Sequence, residues 1–148
     1  MRLTAATLLL ASLLGAPAAT RAEDGAALFE ASCSACHQSG GIGNPGIAPP
    51  LNDPALWQRL GTRAPDYVAG VMISGMSGTI TAGGQIYAGL IMPSHAATTD
   101  AELAAIGTYI LSTVNATGLA LDAAHLEAAR QARPSHADLR KLRKGSTE

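Results

Sequence analysis

Cys33 and Cys36 are separated by two residues, and His37 follows the second directly. Two thiols at this spacing sit on one short turn of backbone. They can reach both vinyl groups of one porphyrin and add across them as thioethers, while the adjacent imidazole meets the iron from the same side. The pattern is the attachment signature of a covalently bound c-type haem. Competing chemistries fit less well. A disulfide between the two is compatible with an exported chain. A thioredoxin-like redox pair wants a preceding strand within a βαβ pattern, and none surrounds residues 33–36. Zinc needs further thiol or imidazole ligands nearby, and the chain has no other cysteine.

If His37 is the first axial ligand, the second comes from elsewhere in the chain. Met72, Met76, Met92, His95, His125 and His136 are the candidates. Met92 is the best placed: it lies in a loop, and Pro93 behind it is stiff and lacks an amide donor. Met76, in a Gly-rich turn, is the runner-up. Met72 falls on the apolar stripe of a helix, where packing is its expected role. His95 would give bis-histidine ligation, whereas a His/Met pair raises the haem potential, and a filled sixth site suits electron transfer. The other ring nitrogen of His37 needs an acceptor to fix the ring, and the Pro49 carbonyl is the candidate.

These residues must be held by a small scaffold. The 148-residue chain suffices for one domain. Residues 1–22 read as a secretory leader, with Arg2 before an uncharged apolar run over 3–16 and small residues near Ala22 for cleavage. Export agrees with a haem that is attached outside the cytoplasm, and the expected location is periplasmic. Residues 23–116 read as the haem domain, and 117–148 as a C-terminal helix and basic tail. The five aromatic residues make a peptide core that is marginal alone, so a buried porphyrin would supply apolar area. Residues 23–129 hold nine acidic side chains against Arg59 and Arg63, whereas six basic residues follow from Arg130. An acidic body favours a basic partner, with association slowed by salt. The cationic end reads as a solvated terminus, or more sharply as a tether to an acidic partner or anionic surface.

Helices are expected over 25–32 (capped by Asp24), 54–60 (Asp53 cap, Pro54 in the first turn), 64–74, 100–113 (Thr99/Glu102 capping box) and about 122–132. Residues 38–50, rich in Gly and Pro, form an irregular loop. A hairpin turning at Ala82-Gly83-Gly84 is expected within 78–87. Gly107, inside the 100–113 helix, marks a place where another backbone comes near.

Four stretches together resemble a class I mono-haem cytochrome c: Phe29-Glu30-Ala31-Ser32-Cys33-Ser34-Ala35-Cys36-His37, Ala48-Pro49-Pro50-Leu51, Tyr87-Ala88-Gly89-Leu90-Ile91-Met92-Pro93, and residues 99–110. The resemblance spans nearly all of residues 23–114. It implies an all-α cytochrome c fold: short helices and loops wrapped round one covalent haem, with a small hairpin before the axial methionine. It also implies that Gly25 and Phe29 meet Ile106 and Tyr109 where the first and last core helices cross. Met92-Pro93-Ser94-His95 departs from the family's usual Met-Pro-Pro-Phe and makes that wall more polar. The implied function is a single-electron carrier serving redox partner proteins such as a dehydrogenase, a terminal oxidase or another electron acceptor. A haem c subunit of a periplasmic dehydrogenase or oxidase complex is the alternative. In such folds the exposed haem edge lies by the thioethers, so Ser34, Ala35 and residues 42–47 form the candidate docking face. No nucleic acid and no stable membrane insertion are expected. A haem enzyme or gas sensor would need a distal acid-base pair, which is not evident.

Overall fold

A computed structural model describes residues 24–145; the leader read over residues 1–22 and its cleavage point lie outside the described residues. Helix starts follow their caps. Asp24 accepts from the amides of Ala26 and Ala27 and opens α1 (Gly25–Ser32). A single turn, α2 (Ser34–His37), carries the second cysteine and the histidine. Asp53 accepts from Leu56 N ahead of α3 (Pro54–Leu60), and α4 (Ala64–Ser74) follows. The capping box of Thr99 and Glu102 starts α5 (Asp100–Thr108). Beyond Thr108 the expected helix widens into a π-helical turn over Tyr109–Val114. Two carbonyls there are taken from outside the helix: Asn115 Nδ2 donates to Ile110 O at 2.8 Å and Thr117 Oγ1 to Leu111 O at 2.9 Å.

Between α4 and α5 the chain makes β1 (Met76–Ser77), β2 (Ile80–Ala82), β3 (Gln85–Tyr87) and β4 (Ile91–Met92). β2 and β3 form the expected hairpin, with Ile80 opposite Tyr87. β1 and β4 form a second antiparallel pair that aligns Met76 with Met92. The loop expected to carry Met92 therefore contains a short strand.

The core is built at two crossings. α1 lies across α5, and the Phe29 and Tyr109 rings meet at 5.4 Å and 49°. Gly25 is required at this crossing: a Cβ there would lie 2.2 Å from Ala105 O and 3.1 Å from Tyr109 Cβ. Its neighbours are thus Ala105 and Tyr109, one residue short of the expected Ile106. The close neighbour of Gly107 is the Leu121 side chain rather than a backbone. α4 is central and buries Val68, Ala69, Met72 and Ile73 against α5, α6 (Ala123–Ala132) and α7 (His136–Arg143).

The C-terminal end corrects the expectation of a solvated basic tail or tether. Ser135 and Asp138 form a capping box at the start of α7, and Leu139 is buried against α4. Three of the cations turn inward. Arg130 donates to Asp100 Oδ1, Ala96 O and Thr98 O, Arg140 to Ser77 O, and Arg143 to Tyr67 and Thr81 O. The cationic end thus folds back on the acidic body. Among the described residues, no helix is long and apolar enough to cross a membrane.

Substituting Gly25→Ala is expected to lower unfolding stability by about 1–3 kcal/mol. The clash is with backbone, so it outweighs the gain of up to about 1 kcal/mol from better helix propensity; urea titration of the holoprotein measures it. A second expectation concerns acid. The carboxyls of Glu102 (chiefly by the Thr99 hydroxyl), Asp122 (by the His125 amide) and Asp138 (by the Ser135 hydroxyl) are held below their ordinary values. Groups so depressed stabilise their helices fully above the ordinary carboxylate range, and that contribution is lost as pH falls through their lowered values. Thermal midpoints are expected to drop between about pH 5 and pH 2. Asp122→Asn, which keeps a capping side chain but cannot ionise, is expected to flatten part of that dependence.

Candidate functional site

One cleft gathers most of the residues singled out by the sequence. It is open at its mouth, and its lining contains Cys33, Cys36, His37, Pro49, Met76 and Met92. Apolar walls with a few convergent polar groups are the usual make-up of a cofactor site. The remaining lining is mostly apolar and includes Val68, Leu103 and Ile106.

The first wall is local. α1 ends at Cys33, whose amide bonds Phe29 O, and the α2 turn brings Cys36 and His37 round beside it. Both thiols are free, Cys33 half-buried and Cys36 exposed. Burial, with the neighbouring Cys36, pushes the Cys33 thiol up to about 11. It is therefore protonated at neutral pH and a poor thiolate nucleophile. His37 is buried, 7% exposed. Its Nδ1 donates to Pro49 O at 2.9 Å, which leaves Nε2 as the nitrogen available to a metal. Burial lowers its pKa, the Pro49 bond opposes the shift and His95 adds to it. The ring is thus kept in the neutral form a metal requires.

The Pro49 carbonyl is itself anchored. Two residues on, Leu51 O accepts from Trp57 Nε1 at 2.8 Å and from Asn115 Nδ2 at 2.9 Å, and Leu51 N donates to Gly41 O. Gly43 (φ +80°) lets this loop close up, since a Cβ there would lie 2.5 Å from Pro50 N. Gln38, directly after His37, has φ 61° and ψ 163°. That region is almost reserved for glycine and costs on the order of 1–3 kcal/mol. The reversal it makes lets Gly43 N bond His37 O at 2.8 Å.

The second wall carries the thioethers of methionine. Met72, Met76, Met92 and His95 all line the cleft. Met76 and Met72 are buried, and Met92 is half-buried. Gly75 (φ +75°) tucks its backbone against Met92 O, and Ser94 Oγ donates to Ile73 O. Both contacts hold the Met92-Pro93 segment to the end of α4. The other two histidine candidates are not cleft residues. His125 pairs with Asp122 in the capping box of α6, and His136 bonds Ser74 O and Ser77 Oγ. Among the described residues no cluster of three or more His, Cys, Asp or Glu could hold a metal by itself.

Two free thiols, one neutral oriented imidazole and soft thioethers around a large apolar cleft fit a covalent haem. Sequence reading missed Trp57, Asn115, Tyr67 and Arg143. The first two fix the Pro49 loop, and the other two line the cleft. Trp57 was legible as a lone indole needing an acceptor; the remaining three carry no local signal.

Over residues 22–114 the chain matches the family described as Cytochrome c. It is also similar to two proteins named cytochrome c-552, both from Thermus thermophilus. One is 38% identical over 106 residues, 70% of this chain and 68% of that protein. Another is 37% identical over 89 residues, 59% of this chain and 65% of that protein.

Proposed function

Since the chain belongs to the cytochrome c family and is a haem c electron carrier, we propose that Cys33 and Cys36 bear its two thioethers, with His37 and Met92 as the axial ligands. The observation that carries this assignment is the buried His37, its Nδ1 spent on Pro49 O, in one cleft with two free thiols and Met92. Bound haem c supplies a one-electron couple at its iron. The chain's own residues do the rest. Pro49 fixes the imidazole tautomer and orientation. The apolar lining excludes water, and Pro93 stiffens the turn behind the methionine sulfur. His37 and Met92, on separate anchored segments, would hold the iron with the same two donors in both oxidation states.

We place the protein in the periplasm, after removal of a leader near Ala22. There it would pass single electrons between partner proteins, without catalysis of its own. Ile47 and Ile91, cleft residues that are 54% and 75% exposed, together with Ile42 at 63%, support an apolar docking face around the cleft mouth. That face extends the one expected at Ser34, Ala35 and 42–47. The expectation of salt-slowed association with a basic partner is revised for a physical reason. The cationic helices fold back on the acidic body, and residues 23–148 hold eight Lys and Arg against eleven Asp and Glu, a modest excess rather than a strongly acidic surface.

The test of ligation is a pair of variants. Met92→Ala is expected to abolish the weak red-region absorption band of methionine-to-iron ligation and to lower the reduction potential. Met76→Ala is expected to keep both; the reverse result would transfer the role to Met76. Docking is tested by electron self-exchange measured by NMR line broadening, which needs no identified partner. The rate is expected to change little between low and high salt, where a strongly acidic surface would show a marked rise.

A further inference from the structure

Arg143 lies in the last helix, beyond the family match that ends at residue 114. Its side chain is buried, 7% exposed, and forms part of the cleft lining. A guanidinium carries five N–H donors and a permanent charge. Here Nη1 donates to Tyr67 Oη at 3.1 Å and Nη2 to Thr81 O at 3.2 Å. Nε is buried and has no hydrogen-bond partner. Leaving a donor on a buried charged group unpaired is costly, and a buried charge is retained where something compensates it.

The chain offers little compensation. Asp53 Oδ2 lies 3.9 Å from Nη2, the outer limit of an ion pair, and Oδ1 of the same carboxylate caps α3 through Leu56 N. The cleft lining contains no Asp or Glu. Tyr67, also in that lining, accepts from Nη1 and keeps its own hydroxyl proton to give. An unpaired guanidinium N–H beside a phenol proton, in a cleft without an anion, is a site for a carboxylate. Arginine suits that geometry better than a lysine would. Haem c carries two carboxylates, its propionates.

We infer that Arg143, with Tyr67, is the counter-ion of a haem propionate, so that the C-terminal helix holds the cofactor's charge as well as closing its cleft. The inference rests on the haem reading above. The position of α7 is set independently of this side chain. Arg140 donates to Ser77 O, His136 donates to Ser74 O, and Arg59 Nε donates to the Arg143 carbonyl. The guanidinium is thus presented to the cleft by a helix anchored through other residues.

The experiment uses the mature holoprotein and the variants Arg143→Gln, Arg143→Lys and Lys144→Gln. Intact mass establishes haem attachment in each. Spectroelectrochemical titration reads the potential, and oxidised-minus-reduced infrared spectra read the propionate carboxylate. Removing a cation beside the haem favours the more positive, oxidised iron. Arg143→Gln is therefore expected to lower the potential and shift the carboxylate bands, and Arg143→Lys to restore much of the potential. Lys144 is exposed and outside the cleft lining, so Lys144→Gln removes a neighbouring cation without touching the cleft and is expected to leave both signals in place. Haem-loaded Arg143→Gln with unchanged potential and bands overturns the inference, as does an equal shift in Lys144→Gln. If Arg143→Gln does not accumulate, Tyr67→Phe must shift the carboxylate bands, and a spectrum identical to the parent overturns it. Absence of haem from the parent protein would instead overturn the haem reading itself.

Discussion

A metal-bound imidazole is useful to an electron carrier only if it is neutral and cannot turn; for His37, burial supplies the first condition and the hydrogen bond from Nδ1 to Pro49 O the second. Much of the surrounding architecture serves that contact. The Pro49-Pro50 loop is pinned through Leu51, whose carbonyl receives one donor from α3 and one from the segment after α5. Gly41 and Gly43 let the loop lie against the turn that carries His37. The strained backbone at Gln38 is held by the same bonds. Strain of this kind persists only where neighbouring contacts over-determine it, and here it adjoins the residue whose orientation matters most.

Local chemistry was legible in the residues themselves. The Cys33–His37 spacing, the caps at Asp24, Asp53 and Thr99, and the glycines of the β2–β3 hairpin are short-range signals, and each produces the element it implies. What escaped reading depends on distance along the chain. The pairing of Met76 with Met92 joins segments whose character is fixed only by the end of α4. Asn115 bonds Leu51 across 64 positions. The α7 helix did carry a local sign, Ser135 three residues before Asp138, but its charge and the proline ahead of it weighed toward a frayed end. Burial of Leu139 against α4 decides the matter, and that is a tertiary effect.

The fate of the C-terminal cations illustrates how poorly linear charge maps to a surface. Arg130 spends its donors on Asp100 and on the carbonyls of Ala96 and Thr98, so it braces the segment that follows Met92. Arg140 does the same for Ser77, next to Met76. Side chains that looked like a solvated block are struts for the two methionine-bearing strands. The segment outside the family match is therefore part of the machinery that shapes the cleft.

The bond between Arg143 and Tyr67 joins positions 76 apart, and that from Arg59 to the Arg143 carbonyl joins positions 84 apart. Contacts of such separation carry a large loop-closure cost and form late. The turn that carries Cys33, Cys36 and His37 needs only neighbouring residues to form. Folding therefore has a built-in order: that wall of the cleft can form early, and the wall supplied by Arg143 closes last.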